Sequence, residues 1–284
     1  MKLATFTTGG APELGVVEGD SIISLSKAAP RLATDMIDLV SRWADAKADV
    51  ERIVAKAAPT PLAGVRLLAP IPRPGKIMAI GLNYADHVKE TGREPPKQQI
   101  WFGKMQSAVN GPYDPIQLPK SSNMVDWEAE LVFVVGKQGK YISKADAASH
   151  VFGYCCGNDI SVRDWQNMTP QWILGKSFDT HAPFGPWIVT ADEIPDPHAL
   201  GIRCFVNGER RQNSNTSNLI FNIYDQIALL SQAMTLYPGD VIFTGTPGGV
   251  GMALEPPVYL KGGDKVRIEI DKIGAIEASM VPEA

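Results

Sequence analysis

The chain is poor in cysteine: three among 284 residues, two of them adjacent at Cys155 and Cys156, with no Cys-x-x-Cys spacing. That leaves no disulfide framework, argues against a structural zinc site and suits a reducing, cytoplasmic compartment. Long apolar runs are missing too. Leu131-Val132-Phe133-Val134-Val135 is strand-sized, far below the roughly 20 residues needed to span a bilayer, so no membrane role is expected. Blocks of basic residues are also absent. The 27 Lys and Arg stand against 31 Asp and Glu, a net charge of −4, with no cluster able to neutralise a phosphate backbone. Nucleic acid is therefore not an expected partner. Residues 1–10 lack the apolar h-region of an export signal and read as a strand running into a turn. What is present is ordinary globular composition, 44% hydrophobic and 20% charged, in a chain long enough for one large domain and a smaller one.

Residues 1–70 read as a small α+β unit. Leu3 to Thr7 alternates like a strand, Leu14 to Ile23 reads as a hairpin turning at Glu18-Gly19-Asp20, and Asp35 to Ala58 carries apolar residues at helical spacing, with Asp35 or Thr34 as N-cap. The stretch Ala69-Pro70-Ile71-Pro72-Arg73-Pro74-Gly75 is too rich in proline for helix or central strand and marks the boundary to a second unit, 71–284. There the pattern is many short strands, predicted at 76–81, 130–135, 153–158, 187–190, 202–206, 241–244 and 265–270. Helical spacing recurs only at 144–150 and 223–234. The fold class is α+β, mainly β, and strands this short and numerous favour a sandwich or roll over a doubly wound parallel sheet.

Chemistry concentrates in a few segments. Glu128 and Glu130 are two positions apart at the mouth of an apolar strand, so both project from one face. Two like charges side by side make sense around a hard divalent cation, although a solvated strand edge also carries such pairs. Asp159 follows a run of small and apolar residues, and a carboxylate there must be paired, with Arg163 as the obvious partner, or bound to metal. Lys176 sits in an apolar setting, either as a surface lysine or as a cation near the metal. If 83–90 is helical, His87 and Glu90 share a face and form a general-base pair, which an exposed i,i+3 contact would also produce. Residues 91–97 read as a mobile loop that would make this pair part of a lid. Thr244 to Gly251 lacks both the Lys-Ser/Thr of a P-loop and a GxGxxG, so it is read as a close-approach loop whose threonine hydroxyls can bind a carboxylate.

Five segments stand in order: Asn-Tyr-x-x-His-x-x-Glu at 83–90, Glu-x-Glu at 128–130, Asn-Asp-x-Ser-x-Arg-Asp at 158–164, Gly-Lys-x-Phe-Asp at 175–179 and Thr-Gly-Thr-Pro-x-Gly-Val-Gly at 244–251. Together they resemble the fumarylacetoacetate hydrolase family from about Lys76 to the C-terminus. The resemblance implies a C-terminal mixed β-sandwich roll with a small N-terminal α+β domain, and a homodimer. It implies Mg²⁺ or Mn²⁺ held by Glu128, Glu130 and Asp159, with His87 and Glu90 activating water and Lys176 as cationic helper. Gln166, Thr246, Arg163 and Asp179 match substrate-binding positions.

The expected activity is hydrolysis of a C–C bond in a small 2,4-dioxo acid. The substrate chelates the metal, His87 deprotonates water, and Lys176 shares the charge of the departing enolate. Decarboxylation or tautomerisation of an oxaloacetate-like 2-oxo acid is the alternative, since the same residues serve it. A non-catalytic oxo-acid-binding protein is a further alternative. Trp127, Trp165, Trp172 and Phe178 stand equally well as pocket walls or as core aromatics.

Overall fold

Strand Ala129–Val135 is buried at all seven positions, which is what a continuous apolar run requires when both faces of a sheet are covered. Its side chains alternate between two cores. Ala129, Leu131, Phe133 and Val135 pack toward a five-stranded sheet, whereas Val132 and Val134 join a second core with Leu39, Val40 and Val50 of the N-terminal segment. Full burial of such side chains is worth about 1.5–3 kcal/mol each, so this strand is the axis of the molecule. The computed structural model describes residues 1–92 and 94–284; Arg93, in the expected lid loop, lies outside the described residues.

Among the described residues, twelve strands form one large mixed sheet. Its centre is Ala129–Val135 between Val151–Asn158 and Val241–Phe243, both antiparallel to it. A five-stranded sheet, built from Gly201–Val206, Glu209–Asn215, Lys265–Ile270, Gly274–Pro282 and Ile116–Leu118, packs against one face. This is the mixed β-sandwich roll that the resemblance implies, with a small α+β unit at the N-terminus.

The first strands extend the large sheet. Lys2–Thr7 pairs with Ala182–Thr190 through Lys2↔Val189 and Leu3↔Ile188, and the hairpin Glu13–Glu18/Ser21–Ser24 lies outside it. The single helix expected over 35–58 is two, Met36–Ser41 and Trp43–Val54. The break falls at Arg42, whose backbone leaves the helical region (φ −109°, ψ 15°) while its guanidinium folds back onto Asp38. Asp35 caps the first helix by accepting from the Asp38 N–H. The helix expected at 144–150 is only a 3₁₀ turn, Ala147–His150, whereas Ile223–Ala233 is helical behind an Asn222/Asp225 capping box. No helix of the described residues is long and apolar enough to cross a membrane.

One pairing places the site. Val241–Phe243 runs parallel to Ile77–Gly81, so both strands end at the same edge of the sheet. Helix Ala85–Glu90 and the loop 244–251 therefore begin side by side, next to the N-terminal end of Ala129–Val135, which runs antiparallel to them.

Candidate metal centre and active site

Glu128 and Glu130 flank Ala129, and Ala129 pairs with Asn158 in the neighbouring strand. Asp159 follows directly, its N–H donating to the Glu128 carbonyl at 2.9 Å. Strand register thus brings three carboxylates from two strands together, with one oxygen of each within 4.8 Å of the others. All three are buried: Glu128 is 6% exposed, Glu130 1% and Asp159 0%.

Three buried cations share this space. Lys176 Nζ donates to Glu128 Oε2 and Asp159 Oδ2, both at 2.7 Å, and lies 5.0 Å over the Phe102 ring. Lys104 donates to Asp159 Oδ1. Arg163 does not pair with Asp159, as local spacing suggested. The strand-pairing of 125–126 with 161–162 turns it instead toward Asp126, at 2.8 Å, and Glu128, at 2.7 Å.

These contacts divide the carboxylates electrostatically. Burial drives the Glu128 carboxyl up, but Lys176 and Arg163 outweigh it and hold the group at about 2. Among the described residues Glu130 has no cation in direct contact; burial, then the charges of Asp159 and Glu128, push it well above the usual carboxylate range. Burial lowers Lys104, whereas for Lys176 the charges of Asp159 and Glu128 overcome burial and raise it.

The donor set fits a hard divalent cation. It is all-oxygen, buried and convergent, and Glu130, its member without a direct cationic partner among the described residues, is the carboxylate that a second positive charge would keep ionised. Mg²⁺ and Mn²⁺ both meet this description.

A cavity of about 70 Å³ opens on Glu128 and Glu130; its lining includes the polar His87, Arg163, Gln166, Lys176 and Thr246 and the apolar Ile80, Leu82, Phe102, Trp172 and Met252. His87 Nδ1 is 3.0 Å from Glu90 Oε1. The other oxygen of Glu90 accepts the Gly249 N–H at 2.7 Å, and Asp86 accepts the Gly248 N–H, so the loop 244–251 clamps the helix carrying the pair. Gly249 has φ +99°, and a Cβ there would stand 2.0 Å from the Arg211 carbonyl oxygen; only glycine fits. Thr244 donates its hydroxyl to the Leu131 carbonyl and is spent on the sheet, which leaves Thr246 as the threonine of this loop that lines the cavity.

The structure therefore gathers His87, Glu90, Glu128, Glu130, Asp159, Arg163, Gln166, Lys176 and Thr246, and places Asp179 apart from them. Asp179 is exposed and lines a separate surface depression with Gln117, Ser177 and Glu283, because the chain leaves the core after Lys176. Of the aromatics, Trp172 is a cavity wall, Trp127 is fully buried core, and Trp165 packs on Phe178 at 5.4 Å. Two residues went unread. Lys104 follows the apolar strand Ile100–Gly103, the same signal that marked Lys176. Asp126 directly precedes Trp127-Glu128; its carboxylate accepts from Gly251 and Met252 N–H and from Arg163, tying the glycine loop to the centre.

Comparison with known proteins shows the family. The model of the fumarylacetoacetate (FAA) hydrolase C-terminal domain matches residues 76–281, and an Rv2993c-like N-terminal model matches residues 1–70. The mitochondrial oxaloacetate tautomerase FAHD2B of Bos taurus is 46% identical over 283 residues, covering 97% of this chain and 90% of its own. The human mitochondrial oxaloacetate tautomerase FAHD2A is 45% identical over 270 residues, covering 93% of this chain and 86% of its own. Among solved structures, the maleylpyruvate hydrolase of Sphingobium sp. SYK-6, in complex with manganese(II) and pyruvate, superposes with a TM-score of 0.85 at 36% identity, with complete coverage of both chains. The fumarylacetoacetate hydrolase of Exiguobacterium antarcticum gives 0.88 at 34% identity, again with complete coverage. The chain belongs to the fumarylacetoacetate hydrolase family, whose similar members named here are enzymes of small oxo acids.

Proposed function

We propose that this protein is a divalent-metal enzyme that moves a proton beside the oxo group of an oxaloacetate-like 2-oxo acid, catalysing tautomerisation or decarboxylation. The observation that carries the reading is one small cavity lined by His87, Glu128, Glu130 and the Lys176 ammonium, with Glu90 behind His87 and Asp159 behind Lys176. The tautomerase names of relatives 45–46% identical over nearly the whole chain support this choice of substrate class.

Glu128, Glu130 and Asp159 would hold the metal, Mg²⁺ or Mn²⁺, which when bound supplies Lewis acidity toward the oxygens of a 2-oxo acid. His87 takes or returns the proton at the carbon next to the oxo group. Glu90 fixes its tautomer by accepting from Nδ1, which leaves Nε2 as the basic atom. Lys176 shares the negative charge that develops on the oxo oxygen. Arg163, Gln166 and Thr246 bind the carboxylate end, and the apolar wall of Ile80, Phe102 and Trp172 excludes water from the reacting carbon.

Hydrolytic cleavage of a 2,4-dioxo acid is the second reading, favoured by the same His87–Glu90 pair, which can activate water, and by the likeness to a maleylpyruvate hydrolase. We further propose that the chain divides near residue 70, in line with the two matched segments, and that it works as a homodimer in the cytoplasm.

The deciding experiment is a substrate panel with metal-stripped protein, with and without Mg²⁺ or Mn²⁺. Metal-restored enol–keto conversion or CO₂ release from oxaloacetate supports the first reading. Metal-restored cleavage of an acylpyruvate into two acids, with oxaloacetate untouched, replaces it with the second.

A further inference from the structure

Gln212, on strand Glu209–Asn215, is 1% exposed and does not line the cavity, yet its amide touches three groups that matter there. Its Oε1 accepts from the Ala129 N–H at 2.9 Å, between the two glutamates of the triad. Its Nε2 donates to the Pro247 carbonyl at 2.8 Å and to Thr246 Oγ1 at 2.9 Å.

The orientation of this amide is forced. A backbone N–H can only donate and a backbone carbonyl can only accept, so Ala129 must face the amide oxygen and Pro247 the NH₂. The reversed amide would oppose donor to donor and acceptor to acceptor in a buried site. Thr246 Oγ1 therefore receives a hydrogen bond, and its own proton must point elsewhere. Among the described residues that hydroxyl proton has no acceptor, while Thr246 lines the cavity.

We propose that Gln212 is a positioning residue that fixes Thr246 as a hydrogen-bond donor into the cavity, making it a receptor for an anionic oxygen of the ligand. A free threonine hydroxyl recognises donors and acceptors alike; this one is committed to acceptors, which suits the carboxylate of a 2-oxo acid and disfavours its amide. The inference rests on the functional reading above for the ligand class, and on backbone polarity for the direction of the relay.

The test is binding of oxalate to the Mn²⁺-loaded protein, with Mn²⁺ affinity measured alongside. Gln212→Glu keeps the size of the side chain and the acceptor for Ala129, but offers Thr246 an oxygen, so the hydroxyl turns away from the cavity. It should weaken oxalate binding about tenfold, a loss typical of one hydrogen bond to a charged group, and leave Mn²⁺ affinity within about threefold. Thr246→Val should weaken oxalate binding equally, Thr246→Ser should not, and Gln212→Glu/Thr246→Val should be no worse than Thr246→Val alone. Should Gln212→Glu fold poorly, Gln212→Met in the same cycle with Thr246→Val replaces it. Multiplying losses, unchanged oxalate affinity in the Gln212 variant, or a parallel fall in Mn²⁺ affinity would each overturn the relay and leave the functional reading standing. If the unaltered protein bound no oxalate with Mn²⁺, both would fall.

Discussion

Lys176 Nζ stands 2.7 Å from Asp159 Oδ2 and, at the same distance, from Glu128 Oε2, so one ammonium joins carboxylates at the adjoining ends of two paired strands. Like-charged oxygens packed this closely are tolerated in a buried site only with such a cation among them. The same ammonium lines the cavity, where it can share charge developing on a substrate oxygen. Lys176→Met should therefore lower turnover at saturating metal by about 10²-fold or more, the scale of losing one electrostatic donor to a transition state. Turnover within about threefold of the original, at full metal occupancy, would remove Lys176 from the chemistry.

Glu130 is placed differently, and its substitution separates metal binding from folding. It is 1% exposed, has no direct cationic partner among the described residues and faces the charges of Asp159 and Glu128. Glu130→Gln keeps an acceptor for the Gly245 N–H, which now donates to Oε2, and removes the surplus charge. In a chelator the variant should melt no lower than the unaltered protein. Adding Mn²⁺ at about 100 times its Kd should stabilise the unaltered protein by about 2.7 kcal/mol and the variant by far less. A variant that melts lower in chelator yet responds fully to Mn²⁺ contradicts the assignment of Glu130 as a ligand.

The triad was legible because strand periodicity is local: residues two apart share a face whatever the tertiary fold, and Glu128 and Glu130 do. The His87–Glu90 pair was legible for the same reason, through helical spacing. Pairing between distant segments was not legible from spacing. Arg163 faces Asp126 and Glu128 because residues 125–126 pair with 161–162, and that register appears only in the assembled sheet. Gln212 reaches Ala129 and Thr246 across two sheets, from a strand that sequence pattern left unassigned because its residues, ERRQNSN, alternate too weakly. The Arg42 break escaped notice because apolar spacing continues across it.

His87 and Glu90 should differ in weight. Removing the base by His87→Ala should cost about 10²-fold or more in turnover, with Mn²⁺ affinity retained. Glu90→Gln can still accept from the imidazole or from the Gly249 N–H but carries no charge to support a protonated ring, so its loss should be smaller and should fall on kcat rather than KM. Equal losses in KM alone for both variants would instead mark the pair as part of a substrate-binding surface.

His181 makes acid stability measurable apart from catalysis. It is fully buried, donates Nε2–H to the Gln117 carbonyl at 2.8 Å, and among the described residues its Nδ1 has no partner. Burial, against the pull of that carbonyl and with help from the Lys104 charge, holds its pKa down to about 3, whereas an unfolded histidine titrates near 6.5. Below that value the unfolded chain takes up a proton that the folded chain refuses. The contribution of His181 to stability is therefore complete above about pH 6.5 and falls by about 1.4 kcal/mol per pH unit on acidification toward pH 3. His181→Gln retains a donor for Gln117 but cannot titrate, so between about pH 6.5 and 4.5 its unfolding free energy should fall by roughly 2–3 kcal/mol less than that of the unaltered protein. Urea unfolding across that range decides the matter: parallel curves for the two proteins would mean that His181 is protonated within the fold, and that the space around Nδ1 accommodates its charge.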